Sequence, residues 1–123
     1  MELPETQRII VVDDDDFVRE TMEMVLMRRG HAVRATASGV EALRWLEEDP
    51  CDLLILDCQM PEMDGPTLYR EVITRWPGAR VLFVSGYSAI GDDDPDVRGV
   101  PVLFKPFSLD ALFKAVTHAL VTA

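Results

Sequence analysis

Cysteine is nearly absent. Cys51 and Cys58 are the only two, too few for a disulfide framework and without the spacing of a metal-ligand set, which agrees with a reducing compartment. Basic residues are also scarce: 12 Lys and Arg stand against 22 Asp and Glu. The resulting formal charge of −10 argues against direct binding to a nucleic-acid backbone and favours metal cations and basic partner surfaces. No apolar run approaches the roughly 20 residues that cross a bilayer, and the polar start MELPETQR is no signal peptide. The expectation is a cytoplasmic protein with no membrane contact. Neither a G-x-G-x-x-G turn nor a P-loop occurs, so the usual nucleotide cradles are missing. Repeats, low-complexity tracts and linkers are missing too. What remains is 123 residues, 48% apolar and 28% charged, enough for one domain with one core. A single domain is expected over 1–123, with about 1–7 as an N-terminal extension.

What is present is an alternation. Aliphatic runs at 9–12, 53–56, 81–84 and 102–104 read as strands buried on both faces, and 32–35 as a weaker one. Helical patterns lie between them. Val18, Met22, Val25 and Leu26 share a face in 17–29, which Gly30 ends. Met22, Met24 and Met27 read as helix packing. Val40, Leu43 and Leu46 share a face in 38–48 after a Ser38 cap. A third helix runs from Pro66 to Trp76, and Leu109, Leu112, Phe113, Val116 and Leu120 line a last one after Ser108. Strands alternating with helices predict an α/β fold, a parallel sheet covered on both sides. Ligands of such sheets bind beyond the carboxyl ends of the strands. Asp13, Asp14, Asp57, Ser85 and Lys105 all stand at those ends.

The run Asp13-Asp14-Asp15-Asp16 needs a cause. Asp15 or Asp16 can cap the following helix, an effect worth ~0.3–1 kcal/mol per charge. Two carboxylates ~5 Å apart repel by roughly 3 kcal/mol at an effective dielectric near 20. Capping therefore accounts for one or two aspartates, and Asp57 adds to the crowding. A divalent cation resolves it. Ligands that are all oxygen point to magnesium, or to manganese or calcium. Lys105 and Ser85 supply a cation and a hydroxyl, which with a metal and a carboxylate are the parts of phosphoryl transfer onto a carboxylate.

The pieces IIVVDDDDFVRE, LLILDCQMPEMDG, VLFVSGY and LFKPFSLDAL, in that order, resemble the receiver domain of two-component response regulators. The resemblance implies a flavodoxin-like, doubly wound five-stranded sheet of order 2-1-3-4-5. It implies that Asp57 is a phosphoacceptor, taking a phosphoryl group from a sensor histidine kinase or a histidine phosphotransfer protein and passing the signal to a downstream protein. Asp57 is expected already ionised, so no general base is needed. Asp14 would bind magnesium directly, Asp13 mostly through water, and Gln59 through its backbone carbonyl. Lys105 and Ser85 would meet the phosphoryl oxygens, together with the backbone N–H groups of Cys58 and Gly86. The Lys105–Pro106 bond is similar to the family's cis peptide. Such a domain is not an enzyme beyond its own phosphorylation and dephosphorylation.

Two departures stand out. Val102 occupies a position where the family commonly has an aromatic, and Phe104 is expected on the opposite side of that strand; Tyr87 or Phe107 could substitute. The segment 88–99, where the family has its fourth helix, carries two glycines and a proline, so a short or distorted helix is expected. Two other readings compete: a docking module that is never phosphorylated, and an aspartyl-phosphate phosphatase. The phosphatase needs an acid two residues after its nucleophile, where Gln59 stands.

Overall fold

Four short aliphatic runs and one mixed run form the strands of a single parallel sheet. In the computed structural model, which describes residues 6–86, 97 and 99–121, β1 (Arg8–Val12), β2 (Ala32–Thr36), β3 (Leu53–Asp57), β4 (Val81–Ser85) and β5 (Val102–Phe104) lie in the order β2-β1-β3-β4-β5. All four pairings are parallel. The central strands β3 and β4 are buried along their whole length, whereas β2 and β5 at the edges are mixed. That gradient explains why the β2 segment gave the weakest pattern in the sequence.

Among the described residues four helices cover the sheet: α1 (Asp16–Arg28), α2 (Gly39–Glu48), α3 (Gly65–Arg75) and α4 (Leu109–Val121). Because strand side chains alternate, the sheet has two separate cores. Ile9, Val11, Ile55 and Val84 pack with Met22 and Leu26 of α1 and with Leu112 and Val116 of α4. Ile10, Val12, Leu56 and Phe83 pack with Ala42 and Leu46 of α2 and with Leu68 and Val72 of α3. None of these helices is long and apolar enough to cross a membrane.

The helix starts are capped as their side chains dictate. Asp15, Ser38, Asp64 and Ser108 accept from the N–H groups of Val18, Glu41, Thr67 and Ala111. Gly30 takes φ 94° after α1, a left-handed position where its lack of Cβ matters.

Three expectations about faces need correction. Val40 is exposed, because Gly39, Ala42 and Leu46 are the residues that turn toward the sheet. Leu109 is half exposed, since it opens α4 beside the cap, one turn before the helix settles on the core. Of the three methionines of α1 only Met22 is buried; Met24 and Met27 lie about 200° and 140° around the helix from it and face outward. The expected short helix over 88–99, with the acidic run at 92–96 and Tyr87, lies outside the described residues apart from Val97, which is buried, and Gly99.

Candidate functional site

The end of β1 carries the first part of the site. Backbone pairing continues one step past the strand, with the Asp13 N–H donating to the Thr36 carbonyl at 3.1 Å, so Asp13 is held at the sheet edge and wholly buried. Its Oδ1 accepts from the Asp15 N–H at 2.8 Å. Its Oδ2 is buried with no hydrogen-bond donor among the described residues; Lys105 Nζ, at 3.4 Å, is an ion-pair partner well beyond the ~2.7–2.9 Å of a charge-assisted bond. Arg19 braces the turn, donating to the Asp13 carbonyl at 2.9 Å and pairing with Asp16 at 2.6 Å. The four aspartates therefore divide their work. Asp15 caps α1, Asp16 pairs with Arg19, and Asp13 and Asp14 face Asp57.

Asp57 ends β3 and is buried. One carboxylate oxygen from each of Asp13, Asp14 and Asp57 lies within 4.8 Å of the others. The lysine after β5 reaches the same place, with Nζ 3.6 Å from Asp57 Oδ1, and the bond after it, Lys105–Pro106, is cis. Burial, then the charge of Asp13 and a hydrogen bond with Asp14, raise the Asp57 carboxyl to about 7, against the lowering effects of the Gln59 N–H and Lys105. This balance is that of the site without a metal, whereas the ionised Asp57 expected from the sequence belongs to the site with its cation. Burial works against the Lys105 ammonium, but the carboxylates of Asp13 and Asp57 outweigh it and hold its pKa above the usual lysine value.

A buried Asp13 oxygen that Lys105 pairs with only at 3.4 Å, three converging carboxylates and, among the described residues, no nitrogen or sulfur ligand suit a hard divalent cation. The Gln59 N–H donates to Asp57 Oδ1 at 3.2 Å, and Gly65 closes the loop from below. A Cβ on Gly65 would sit 2.7 Å from the Asp57 carbonyl oxygen, so only glycine allows this approach. Gly65 lies in the quoted LDCQMPEMDG run without having been assigned a role, as Arg19 was not; a contact between segments distant in sequence leaves no periodic signal.

Ser85, at the end of β4, is wholly buried, and Gly86 beside it is exposed with open space where a Cβ would be. Two details depart from expectation. The Cys58 N–H donates to the Val84 carbonyl at 2.9 Å, so the ladder between β3 and β4 already uses the amide expected to meet a phosphate; the neighbouring Gln59 amide is the one aimed at Asp57. And Val102 and Phe104, two residues apart, share a side of β5 rather than opposing each other, because the strand period is two. Phe104 lies opposite Ser85 in the register and is 45% exposed. Burial lifts the Cys58 thiol to about 12 and Cys51 to about 11, which removes both as nucleophiles at neutral pH.

The description "Response regulator receiver domain" matches residues 9–117. The chain belongs to that family. The receiver protein CpdR of Brucella abortus is 34% identical over 119 residues, which are 95% of this chain and 99% of CpdR. The sensor kinase CckA of the same organism is 41% identical over 120 residues, but this chain spans only 12% of that kinase. Among solved structures, the response regulator TrrA of Thermotoga maritima, in complex with Mg2+ and BeF, is 29% identical with a TM-score of 0.83, covering 93% of this chain and 99% of TrrA. A Vibrio cholerae CheY4 structure, 24% identical with a TM-score of 0.86, shares the fold. The receiver fold with sheet order 2-1-3-4-5 is therefore that of this chain.

Proposed function

We propose that this receiver domain is a phosphoacceptor, in which Asp57 takes a phosphoryl group from a phosphohistidine of a sensor histidine kinase or a histidine phosphotransfer protein. The observation that carries the reading is the convergence of Asp13, Asp14 and Asp57 with Lys105 at the carboxyl edge of the sheet. An oxygen of Asp57 attacks phosphorus in line, the new O–P bond forms as the P–N bond to the partner imidazole breaks, and the imidazole leaves with the electron pair. Asp13, Asp14, Asp57 and the Gln59 carbonyl would hold magnesium. When bound, it would supply positive charge to the phosphoryl oxygens and lower the Asp57 pKa.

The chain's own groups do the rest. Lys105 pairs with the carboxylates before transfer and is close enough to turn to phosphoryl oxygens after it. The Ser85 hydroxyl and the N–H groups of Gly86 and Gln59 would be the further donors to the phosphoryl oxygens; the Gln59 N–H already donates to Asp57. The signal then passes to a downstream protein. CckA, a sensor kinase with a matching segment, supports a phosphorelay partner. Intact mass after incubation with acetyl phosphate tests the reading. One phosphate adduct is expected with magnesium, and none without it or with Asp57→Asn. An unmodified, folded chain under all conditions would overturn it in favour of a docking module.

A further inference from the structure

Gln59 enters the site above through its backbone, yet its side chain is also committed. The carboxamide reaches from the loop after β3 to the end of β4. There Ser85 Oγ lies 3.2 Å from Nε2 and 3.4 Å from Oε1, and the Gly86 N–H donates to Oε1 at 3.4 Å. The Ser85 hydroxyl also meets the Cys58 thiol. The Ser85 hydroxyl and the Gly86 N–H are two of the three donors assigned above to the phosphoryl oxygens, and each has a single proton to give. An N–H pointing at the amide oxygen is not pointing at a phosphate.

We propose that the Gln59 carboxamide is a lock on the Ser85–Gly86 turn, which a phosphoryl group on Asp57 must displace before it can engage either donor. The inference rests on the phosphoacceptor reading. Glutamine suits the task because an amide both donates and accepts, so it matches the hydroxyl and the N–H together. The distances of 3.2 to 3.4 Å are long for hydrogen bonds, so the lock is weak. Bonds to an ionised phosphoryl group are roughly twice as strong as neutral ones, so the phosphoryl group wins the exchange. The lock thus sets how much of the phosphorylation energy is spent on freeing the turn, and it biases the resting protein toward its unswitched state.

Calorimetric titration with beryllofluoride in excess magnesium, and with magnesium alone, tests this on the full chain. Gln59→Ala is expected to bind beryllofluoride about two- to tenfold more tightly, the range that one net hydrogen bond covers. The titration with magnesium alone is read beside it, so that the gain counts only where it exceeds any change in magnesium affinity. Gln59→Asn, one methylene short of spanning both donors, follows Gln59→Ala, whereas Gln59→Glu binds beryllofluoride more weakly because its charge opposes the ligand. A side chain with a merely structural role would instead weaken both titrations when removed. Wild-type binding with no gain in Gln59→Ala sinks the lock alone. No binding to the wild-type chain, with Asp57→Asn identical, sinks the phosphoacceptor reading and the lock with it.

Discussion

Lys105 Nζ lies closer to Asp13 than to Asp57, 3.4 Å against 3.6 Å, and its Asp13 partner atom has no hydrogen-bond donor among the described residues. The ammonium is thus a resident counter-charge for two buried carboxylates, beside the proposed metal site. Lys105→Ala should therefore separate two effects. Magnesium affinity rises about three- to tenfold, because one repelling charge a few Å away is gone. Phosphorylation by acetyl phosphate falls about a hundredfold, because a transition-state counter-charge is lost. Titration and single-turnover rates check both; parallel loss of both would mean that Lys105 merely shapes the site.

Asp57 makes metal-free stability pH-dependent. Its folded pKa of about 7 exceeds the ordinary 3.8, so between those values the folded chain binds more protons than the unfolded one. Stability from this group is full below pH 4 and is lost as pH rises through 7. Asp57→Asn removes that slope and should be more stable than the parent at pH 7.5 in chelator, by up to ~4 kcal/mol. Magnesium added to the parent recovers much of the difference. Urea denaturation across pH 5–8 measures it, and equal slopes for the two proteins would contradict the assignment.

Asp15 and Asp14 are neighbours with opposite duties. Asp15→Ala removes the cap of α1 and should cost ~1 kcal/mol in denaturation with little change in magnesium affinity. Asp14→Ala should leave stability in chelator unchanged or raise it, and abolish magnesium binding in the millimolar range. If the two variants exchanged these phenotypes, the division of the acidic run would be wrong.

Gly65→Ala forces a methyl group to within 2.7 Å of the Asp57 carbonyl oxygen and 2.9 Å of the Cys58 Cα. Backbone, not a flexible side chain, must give way. A loss of ~3 kcal/mol is expected, together with slower phosphorylation of Asp57. Gly86→Ala, which has open space around it, is the contrasting control and should stay within ~0.5 kcal/mol of the parent.

Much of this was legible in the chain itself. β1, β3 and β4 are aliphatic because both faces are buried, and such runs announce themselves. The helix starts were equally plain at Ser38 and Ser108, where a hydroxyl precedes an amphipathic stretch. Val40 and Leu109 were misplaced because a periodic pattern gives a stripe but not its edges. Which residues of a helix meet the sheet depends on how closely it approaches, and Gly39 and Ala42 allow α2 to approach closely along their own line.

Residue order alone determined the alternation of strands and helices, and with it the placing of Asp13, Asp14, Asp57, Ser85 and Lys105 at strand ends, because burial period and capping are local properties. Three things were decided only by the tertiary structure. Asp57 is raised to about 7 because burial and the charge of Asp13 act on it together. The Cys58 N–H is used by the ladder while that of Gln59 is not. The Gln59 side chain reaches Ser85 and Gly86, 26 and 27 positions away. Each depends on the distance and shielding between groups remote in sequence, and those exist only once the sheet has brought its strand ends to one rim.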